Sequence, residues 1–169
     1  MIGYICAACG SFHSERPTSW KFDLPVVVAA LSETEREQRV DMSSDQCILD
    51  REHFFILGNL DVPIQDSDEF LRWSVWSTLS KKNFDRASEQ WEAPGRESEP
   101  PYFGWLSNQI PGYPDSVNIK ALVHTQPVGI RPQIEVIEED HPLRTEQRAG
   151  VSAARADAII HAALEVTAD

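Results

Sequence analysis

The chain has 169 residues, of which 41% are hydrophobic and 25% are charged. These values are typical of a single globular domain with a sizeable core, and they argue against a chain that is disordered throughout. The formal net charge is −12, from 27 acidic and 15 basic residues. Because such a field repels phosphate backbones and anionic lipids, we expect neither a nucleic acid nor a membrane as partner. It attracts metal cations and basic proteins, so the expected partner is another protein. The oligomeric state stays open.

No stretch approaches the roughly 20 apolar residues of a membrane-spanning helix. The longest apolar run is LPVVVAAL, residues 24–31. The first residues, MIGYICAACG, are apolar but lack the basic region of a signal peptide. Three cysteines are an odd number, which favours thiols or metal ligands in a reducing compartment. We therefore expect a cytoplasmic protein.

Sequence patterns in the first third of the chain predict a short strand and short helices. The apolar opening IGYICAAC is typical of a short strand that enters a C-x2-C turn. Pro25 is suited to the first position of a helix. Ser32 followed by Glu35 has the spacing of a capping box, which predicts a helix over residues 33–39.

The middle of the chain is rich in predicted strands. QCILD, residues 46–50, and HFFILGNLDVPI, residues 53–64, have strand composition and are separated by turn residues. In residues 70–80, apolar side chains occupy both faces at period two, which predicts a central or covered strand. Ser80 is placed to cap a helix, KKNFDRASEQW, whose apolar stripe ends at Trp91.

A polar loop divides the predicted strands. EAPGRESEPP, residues 92–101, has loop composition, and the aromatic segment after it is broken by glycine and proline. Residues 116–125 and 131–138 then predict two further strands, joined by the turn QPVGIRP.

The chain is predicted to end in two helices. One starts at Pro142 and stops at Gly150, and Ser152 is placed to cap the other. Strands in the middle and helices at the ends predict an α+β fold with a mainly antiparallel sheet flanked by helices. We expect a single domain over residues 1–169, made of a C-x2-C segment 1–20, an α+β body 21–150 and a C-terminal helix 152–166.

The candidate metal site is CAACGSFHSE, residues 6–15. Structural zinc takes four nitrogen or sulfur donors in tetrahedral geometry, and a C-x2-C turn brings two thiolates to one ion. Gly10 permits a sharp turn after Cys9, and His13 is near enough to be the third ligand. The remaining cysteine completes the predicted ligand set, which is Cys6, Cys9, His13 and Cys47, with His53 in reserve. The candidate cofactor is a structural zinc ion, because four protein ligands leave no position for water.

Two other interpretations of the cysteine pair stay open. A C-x2-C redox pair normally lies at a helix N-terminus in a thioredoxin-like βαβ unit, and no such unit is predicted here. Alternatively, the cysteines are free and partly buried thiols, since cysteine is among the most buried residue types.

Two polar clusters combine carboxylates with a histidine, as catalytic sites do, but their spacing matches no known metal or nucleophile motif. We interpret EVIEEDHP, residues 135–142, as a solvated strand end with Asp140 capping the next helix. The second cluster comprises Asp45, Asp50, Glu52 and His53. We interpret these as turn and cap residues around two strands. An enzyme stays the alternative hypothesis, namely a metal-assisted hydrolase in which His53, His124 or His141 lies near a carboxylate. Catalytic residues stay unassigned.

Six aromatic residues between positions 73 and 113 are candidates for either a core or a binding surface. They are Trp73, Trp76, Tyr102, Phe103, Trp105 and Tyr113. Most are expected in the core, and the segment 100–114 is the best place for an exposed surface that binds a partner.

Five strings in the sequence are long and specific: YICAACGSFH, SSDQCILDREHFFILGNLDVPI, WSVWSTLSKKNF, PPYFGWLSNQIPGYPDSVNIK and DHPLRTEQRAG. Together they resemble the bacterial family called domain of unknown function 2199, from Tyr4 to about Gly150. The family string C-x2-C-G-x2-H is matched by Cys6, Cys9, Gly10 and His13. The string D-x-C-x-I-D is matched by Asp45, Cys47 and Asp50, with Leu49 in place of isoleucine. The resemblance implies no activity, and it includes all four predicted zinc ligands.

Overall fold

The computed structural model describes residues 3–14 and 16–167. The strands in this part of the chain are β1 (Tyr4–Ile5), β2 (Phe12–His13), β3 (Ser19–Lys21), β4 (Val40–Met42), β5 (Gln46–Leu49), β6 (His53–Pro63), β7 (Phe70–Leu79), β8 (Tyr102–Trp105), β9 (Lys120–His124) and β10 (Gln133–Val136). The helices are α1 (Val26–Ala29), α2 (Glu33–Arg39), α3 (Lys81–Glu89), α4 (Pro142–Ala149) and α5 (Ala153–Thr167), and Arg96–Ser98 form a 3-10 turn.

Strands β3 to β10 form one sheet in the order β3-β7-β6-β10-β9-β8, with β5 also attached to β6 and β4 attached to β5. The centre is the hairpin of β6 and β7, which pair from Phe54↔Leu79 to Pro63↔Phe70. Only two of the described pairings within this sheet are parallel, those of β3 with β7 and of β10 with β6. The predicted class, α+β with a mainly antiparallel sheet, is confirmed.

The last strand of the sheet returns to the central hairpin. Beyond β8, Leu106 forms an antiparallel bridge with Ser77 of β7, and the Ser107 amide donates to the Trp76 carbonyl at 2.8 Å. Gly104 makes this approach possible, because a Cβ at that position would collide with the Thr78 backbone. The sheet therefore curves round on itself, and its inner face encloses the main core.

Both faces of the central hairpin are buried, as the two apolar faces of residues 70–80 predict. The main core includes Leu60, Trp73 and Val75, and it is covered by side chains of α3, α4 and α5. A smaller core on the opposite face contains Val28, Cys47, Leu49, Phe55, Leu57 and Trp76. Period-two alternation along β6 and β7 sends neighbouring side chains to different cores.

The helix starts follow the predicted caps in most cases. Ser32 and Glu35 form both hydrogen bonds of the capping box at α2. Ser80 caps α3 by accepting from the Asn83 amide at 3.1 Å. The predicted cap of α4 was wrong: His141 is the N-cap. Asp140 instead takes a left-handed conformation, with φ 64°, in the turn before it.

The strands differ from the sequence prediction in length and number. β9 begins at Lys120 rather than at residue 116, and β10 is limited to Gln133–Val136. β2, β3, β4 and β8 were not predicted, because each depends on pairing with a distant or neighbouring strand more than on its own composition. Among the described residues, no helix combines the length and apolar character that crossing a bilayer requires.

Candidate metal centre

The N-terminal segment is a two-stranded ribbon with the C-x2-C sequence at its turn. β1 and β2 pair through Tyr4↔His13 and Ile5↔Phe12, and residues 7–9 form the turn. The Cys6 amide donates to the Ser11 carbonyl at 2.9 Å, and the Gly10 amide donates to the Cys6 carbonyl at 2.7 Å. Gly10 has φ 71°, a left-handed conformation that glycine adopts without strain. This backbone brings both cysteines and His13 to one end of the ribbon.

Four side chains from the two ends of the chain converge at this turn. Their candidate ligand atoms all lie within 4.8 Å of one another, and they belong to Cys6, Cys9, His13 and His161. In a tetrahedral zinc site, bond lengths of about 2.0–2.3 Å separate neighbouring donors by roughly 3.3–3.8 Å. The Cys9 Sγ–His13 Nε2 distance, 3.3 Å, is already in this range. The group can therefore close around a metal ion with small side-chain movements.

Hydrogen bonds prepare Cys9 to act as a thiolate. The hydrogen bond between Cys9 and His13 lowers the pKa of the Cys9 thiol most, and the backbone N–H of Ser11 lowers it further. Together they lower the pKa of the Cys9 thiol from 9.0 to about 6. Since the thiolate is the form of cysteine that binds metals, this environment favours coordination near neutral pH.

The fourth side chain, His161, comes from α5. Its Nε2 lies 3.0 Å from Glu165 Oε1, one helical turn further along. Histidines that bind metals commonly donate their other ring N–H to a carboxylate, which fixes the ring orientation. If Nε2 donates to Glu165, then Nδ1 is the nitrogen available to a metal.

A salt bridge holds the ribbon against α5. The Arg16 Nη2 lies 3.0 Å from Asp157 Oδ1, with side chains 25% and 15% exposed. The Cys6 thiol also lies 4.0 Å from the Asp157 backbone carbonyl. Since Asp157 precedes His161 by one helical turn, the same side of α5 supplies the anchor of the ribbon and the fourth side chain of the group.

The structure brings together three of the four side chains predicted as ligands. Cys47 is elsewhere: it lies on β5, fully buried in the smaller core. Burial raises the pKa of its thiol to about 11. The fourth member of the group that the structure brings together is His161 instead. The sequence did contain a signal for it, because Asp157, His161 and Glu165 form a polar row at four-residue spacing on a largely apolar helix.

The redox and catalytic alternatives find less support in the geometry. The cysteine pair lies in a turn between two strands, not at a helix N-terminus. His124 Nε2 contacts Glu135 at 3.0 Å, whereas His141 accepts the Leu143 amide and contacts the Asp115 carbonyl. His53 lines a cavity of about 230 Å³ that neither of the other two histidines lines. Within residues 3–14 and 16–167, none of these three belongs to a group of three or more potential metal ligands.

The other polar cluster has structural contacts. Asp45 pairs with Arg131 at 2.9 Å, and Asp50 pairs with Arg39 at 2.7 Å. Asp50 has φ 55° in the turn that joins β5 to β6. These contacts agree with the interpretation of the cluster as turn and cap residues.

The aromatic residues divide between core and surface. Four of them are buried, namely Trp73, Trp76, Tyr102 and Tyr113. Phe103 and Trp105 are 42% and 41% exposed, and their rings pack edge to face at 5.2 Å. The exposed pair lies within the segment 100–114.

Comparison with known proteins agrees with the resemblance. A family model matches residues 5–151, and that family, domain of unknown function 2199, is described as an uncharacterized protein conserved in bacteria. The chain belongs to this family. No curated protein and no solved structure gives a significant match. The family match includes Cys6, Cys9 and His13 but ends before α5, so His161 lies outside it.

Proposed function

We propose that this protein is a small cytosolic binding protein whose N-terminal ribbon is fastened to its C-terminal helix by one structural zinc ion. The observation that carries the proposal is the convergence of two cysteines and two histidines from opposite ends of the chain within 4.8 Å. Two thiolates and two neutral imidazoles are a donor set typical of structural zinc. The two negative charges of the thiolates also balance the charge of the ion.

The same donor set argues for a structural rather than a catalytic ion. A catalytic zinc keeps one coordination position for water or substrate, whereas four protein ligands close the site. Two carboxylates beside the group in the described part of the chain already have partners, since Asp157 pairs with Arg16 and Glu165 with His161. Neither is therefore placed as a free general base beside a metal-bound water.

The ribbon needs such a fastening. Its strands have two residues each, and an isolated two-stranded hairpin is at best marginally stable in water. Ile5 and Phe12 face each other across the ribbon, and each is 69% exposed. This pair therefore buries little apolar surface. Metal coordination would replace the missing core with bonds to α5, because binding free energy becomes folding free energy when the site forms only in the folded state.

Zinc binding is tested by the metal content of the purified, untagged protein. We expect one zinc per chain in the wild type and a large loss in Cys9→Ser and in His161→Asn. His141→Asn is the matched control, because His141 is half-buried like His161 but belongs to no ligand group in the described residues. A wild type without metal, or a His161→Asn variant with full zinc content and native fold, would count against the proposal.

The proposed partner is another protein, and the exposed aromatic pair Phe103 and Trp105 supports this. Exposed aromatic side chains are enriched at the energetic centres of protein interfaces. None of the described cysteines, Cys6, Cys9 and Cys47, forms a disulfide, which agrees with a reducing compartment. The acidic net charge favours a basic surface on the partner.

Partner binding is tested by affinity capture from a bacterium that encodes the protein. The double variant Phe103→Ala/Trp105→Ala is expected to lose a partner that the wild type retains. Phe70→Ala is the matched control, because Phe70 is 41% exposed but lies on β7, where its ring contacts Arg72. If the captured proteins are the same for wild type and double variant, this surface is not the binding site.

A further inference from the structure

A cavity lies where the sheet forks. β6 pairs with β5 up to Ile56 and with β10 at Asn59, so its partner changes within three residues. The Leu57 amide donates to the Asp45 carbonyl and the Asn59 amide to the Pro132 carbonyl, at 2.9 and 2.8 Å. Between the diverging strands is a cavity of about 170 Å³.

The size and lining of the cavity suit one ring. Its apolar wall includes Ile56, Leu57, Trp91, Tyr102 and Val123. For comparison, an engineered apolar cavity of about 150 Å³ binds benzene. Pockets that bind small molecules combine an apolar lining with a few polar groups that fix orientation. The cavity has this composition.

One wall of the cavity contains a buried cation. The Arg96 side chain belongs to a residue only 8% exposed, and its guanidinium donates to four backbone carbonyls, those of Trp91, Gln126, Pro127 and Ile130. Among the described residues it forms no ion pair with a carboxylate. Arg96 thereby fixes the loop between β9 and β10 as a cavity wall and leaves its positive charge without an anion.

A second guanidinium has unused donors. Arg131 Nε donates to Asp45 Oδ1 at 2.9 Å, and neither of its terminal nitrogens has an acceptor within residues 3–14 and 16–167. The side chain is 35% exposed. The Gln90 side chain, also in the lining, makes no hydrogen bond in the described structure. The remaining carboxylate of the lining, Glu92, is exposed.

From these observations we infer that the cavity binds a small aromatic carboxylate. The ring occupies the apolar space beside Trp91 and Tyr102. The carboxylate accepts hydrogen bonds from the terminal nitrogens of Arg131, in the field of the buried Arg96. Guanidinium groups match carboxylates in planar, bidentate geometry, which makes this class of anion the favoured one. The site is independent of the proposed zinc ion, since the two share no residue.

The test uses benzoate as the probe, with binding followed by ¹H–¹⁵N NMR of the full chain. Millimolar benzoate is expected to shift amides of residues 126–132 and the indole signal of Trp91. Benzyl alcohol and benzylamine test the charge, and both are expected to bind at least about tenfold more weakly, because charge-assisted hydrogen bonds are lost.

Two variants test the position. Arg131→Gln is expected to weaken benzoate binding by about tenfold or more, and Ala87→Met, which extends from α3 into the cavity, is expected to abolish it. Arg155→Gln is the matched control, because its pair with Glu146 has exposures of 34% and 23%, against 35% and 23% for Arg131 and Asp45. The inference is overturned if benzoate causes no shifts, if benzyl alcohol binds equally well, or if Arg131→Gln binds benzoate like the wild type.

Discussion

Replacing Cys47 tests which side chains bind the proposed zinc ion: the group that the structure brings together, or the set that the sequence predicts. Cys47 is fully buried beside Val28, Leu57 and Trp76 in the smaller core. If it contributes only packing, then Cys47→Ala changes stability but leaves the zinc content unchanged. If it is a ligand, the same substitution removes the metal.

The size of the stability change follows from the atoms removed. Cys47→Ala deletes one buried heavy atom, and the lost transfer free energy together with a small residual cavity amounts to about 1–2 kcal/mol. Cys47→Ser keeps the volume but buries a hydroxyl among apolar side chains. Because an unpaired hydroxyl costs about 1–3 kcal/mol, the serine variant is expected to be at least as unstable as the alanine variant.

The assay combines urea unfolding, followed by tryptophan fluorescence, with zinc analysis of the same samples. Both Cys47 variants are expected to keep one zinc per chain and to unfold at lower urea concentration than the wild type. Cys9→Ala is the opposite control, because Cys9 is exposed: it is expected to lose zinc without a cavity penalty. A folded Cys47→Ala protein without zinc would refute the assignment of Cys47 to the core alone.

Three further predictions concern the ribbon and the loop between β9 and β10. In the metal-free protein, alkylation of Cys9 is expected to rise through a pKa of about 6, and His13→Ala should move this midpoint upwards. Because the folded-state pKa is lowered, the associated stabilisation is present above the unfolded pKa of about 9 and is lost as the pH falls through about 6. Replacing Arg96 by methionine is expected to destabilise the fold by about 3 kcal/mol in urea unfolding, since four carbonyls lose a charged donor; an effect below 1 kcal/mol would contradict this role. Asp157→Asn is expected to cost about 1 kcal/mol, because it removes the ion pair with Arg16, and to speed amide hydrogen exchange in β1 and β2 selectively.

Much of the fold was predictable because its signals are local. The capping box at Ser32 and the cap at Ser80 depend on residues three positions apart, and both form as predicted. The two apolar faces of β7 likewise reflect its own sequence. In contrast, the short strand β3 exists because Trp20 pairs with Trp73, some fifty residues away, and no pattern within residues 19–21 indicates this partner.

The candidate metal site shows the same limit. The spacing of Cys6, Cys9 and His13 places them together because a turn of few residues can hardly separate them. The fourth side chain depends on which element packs against that turn, and this is a property of the tertiary fold. Cys47 was the obvious candidate by residue type, whereas the docking of α5 through Arg16 and Asp157 brings His161 there instead.

X-ray absorption at the zinc edge of the purified protein measures most directly which four side chains bind the proposed zinc ion. We expect two sulfur donors at about 2.3 Å and two nitrogen donors at about 2.0–2.1 Å, with one nitrogen lost in His161→Asn. A first shell of three sulfurs would restore Cys47 as a ligand. A shell of oxygen donors, or a protein without zinc, would contradict the proposal that a structural zinc ion joins the ribbon to α5.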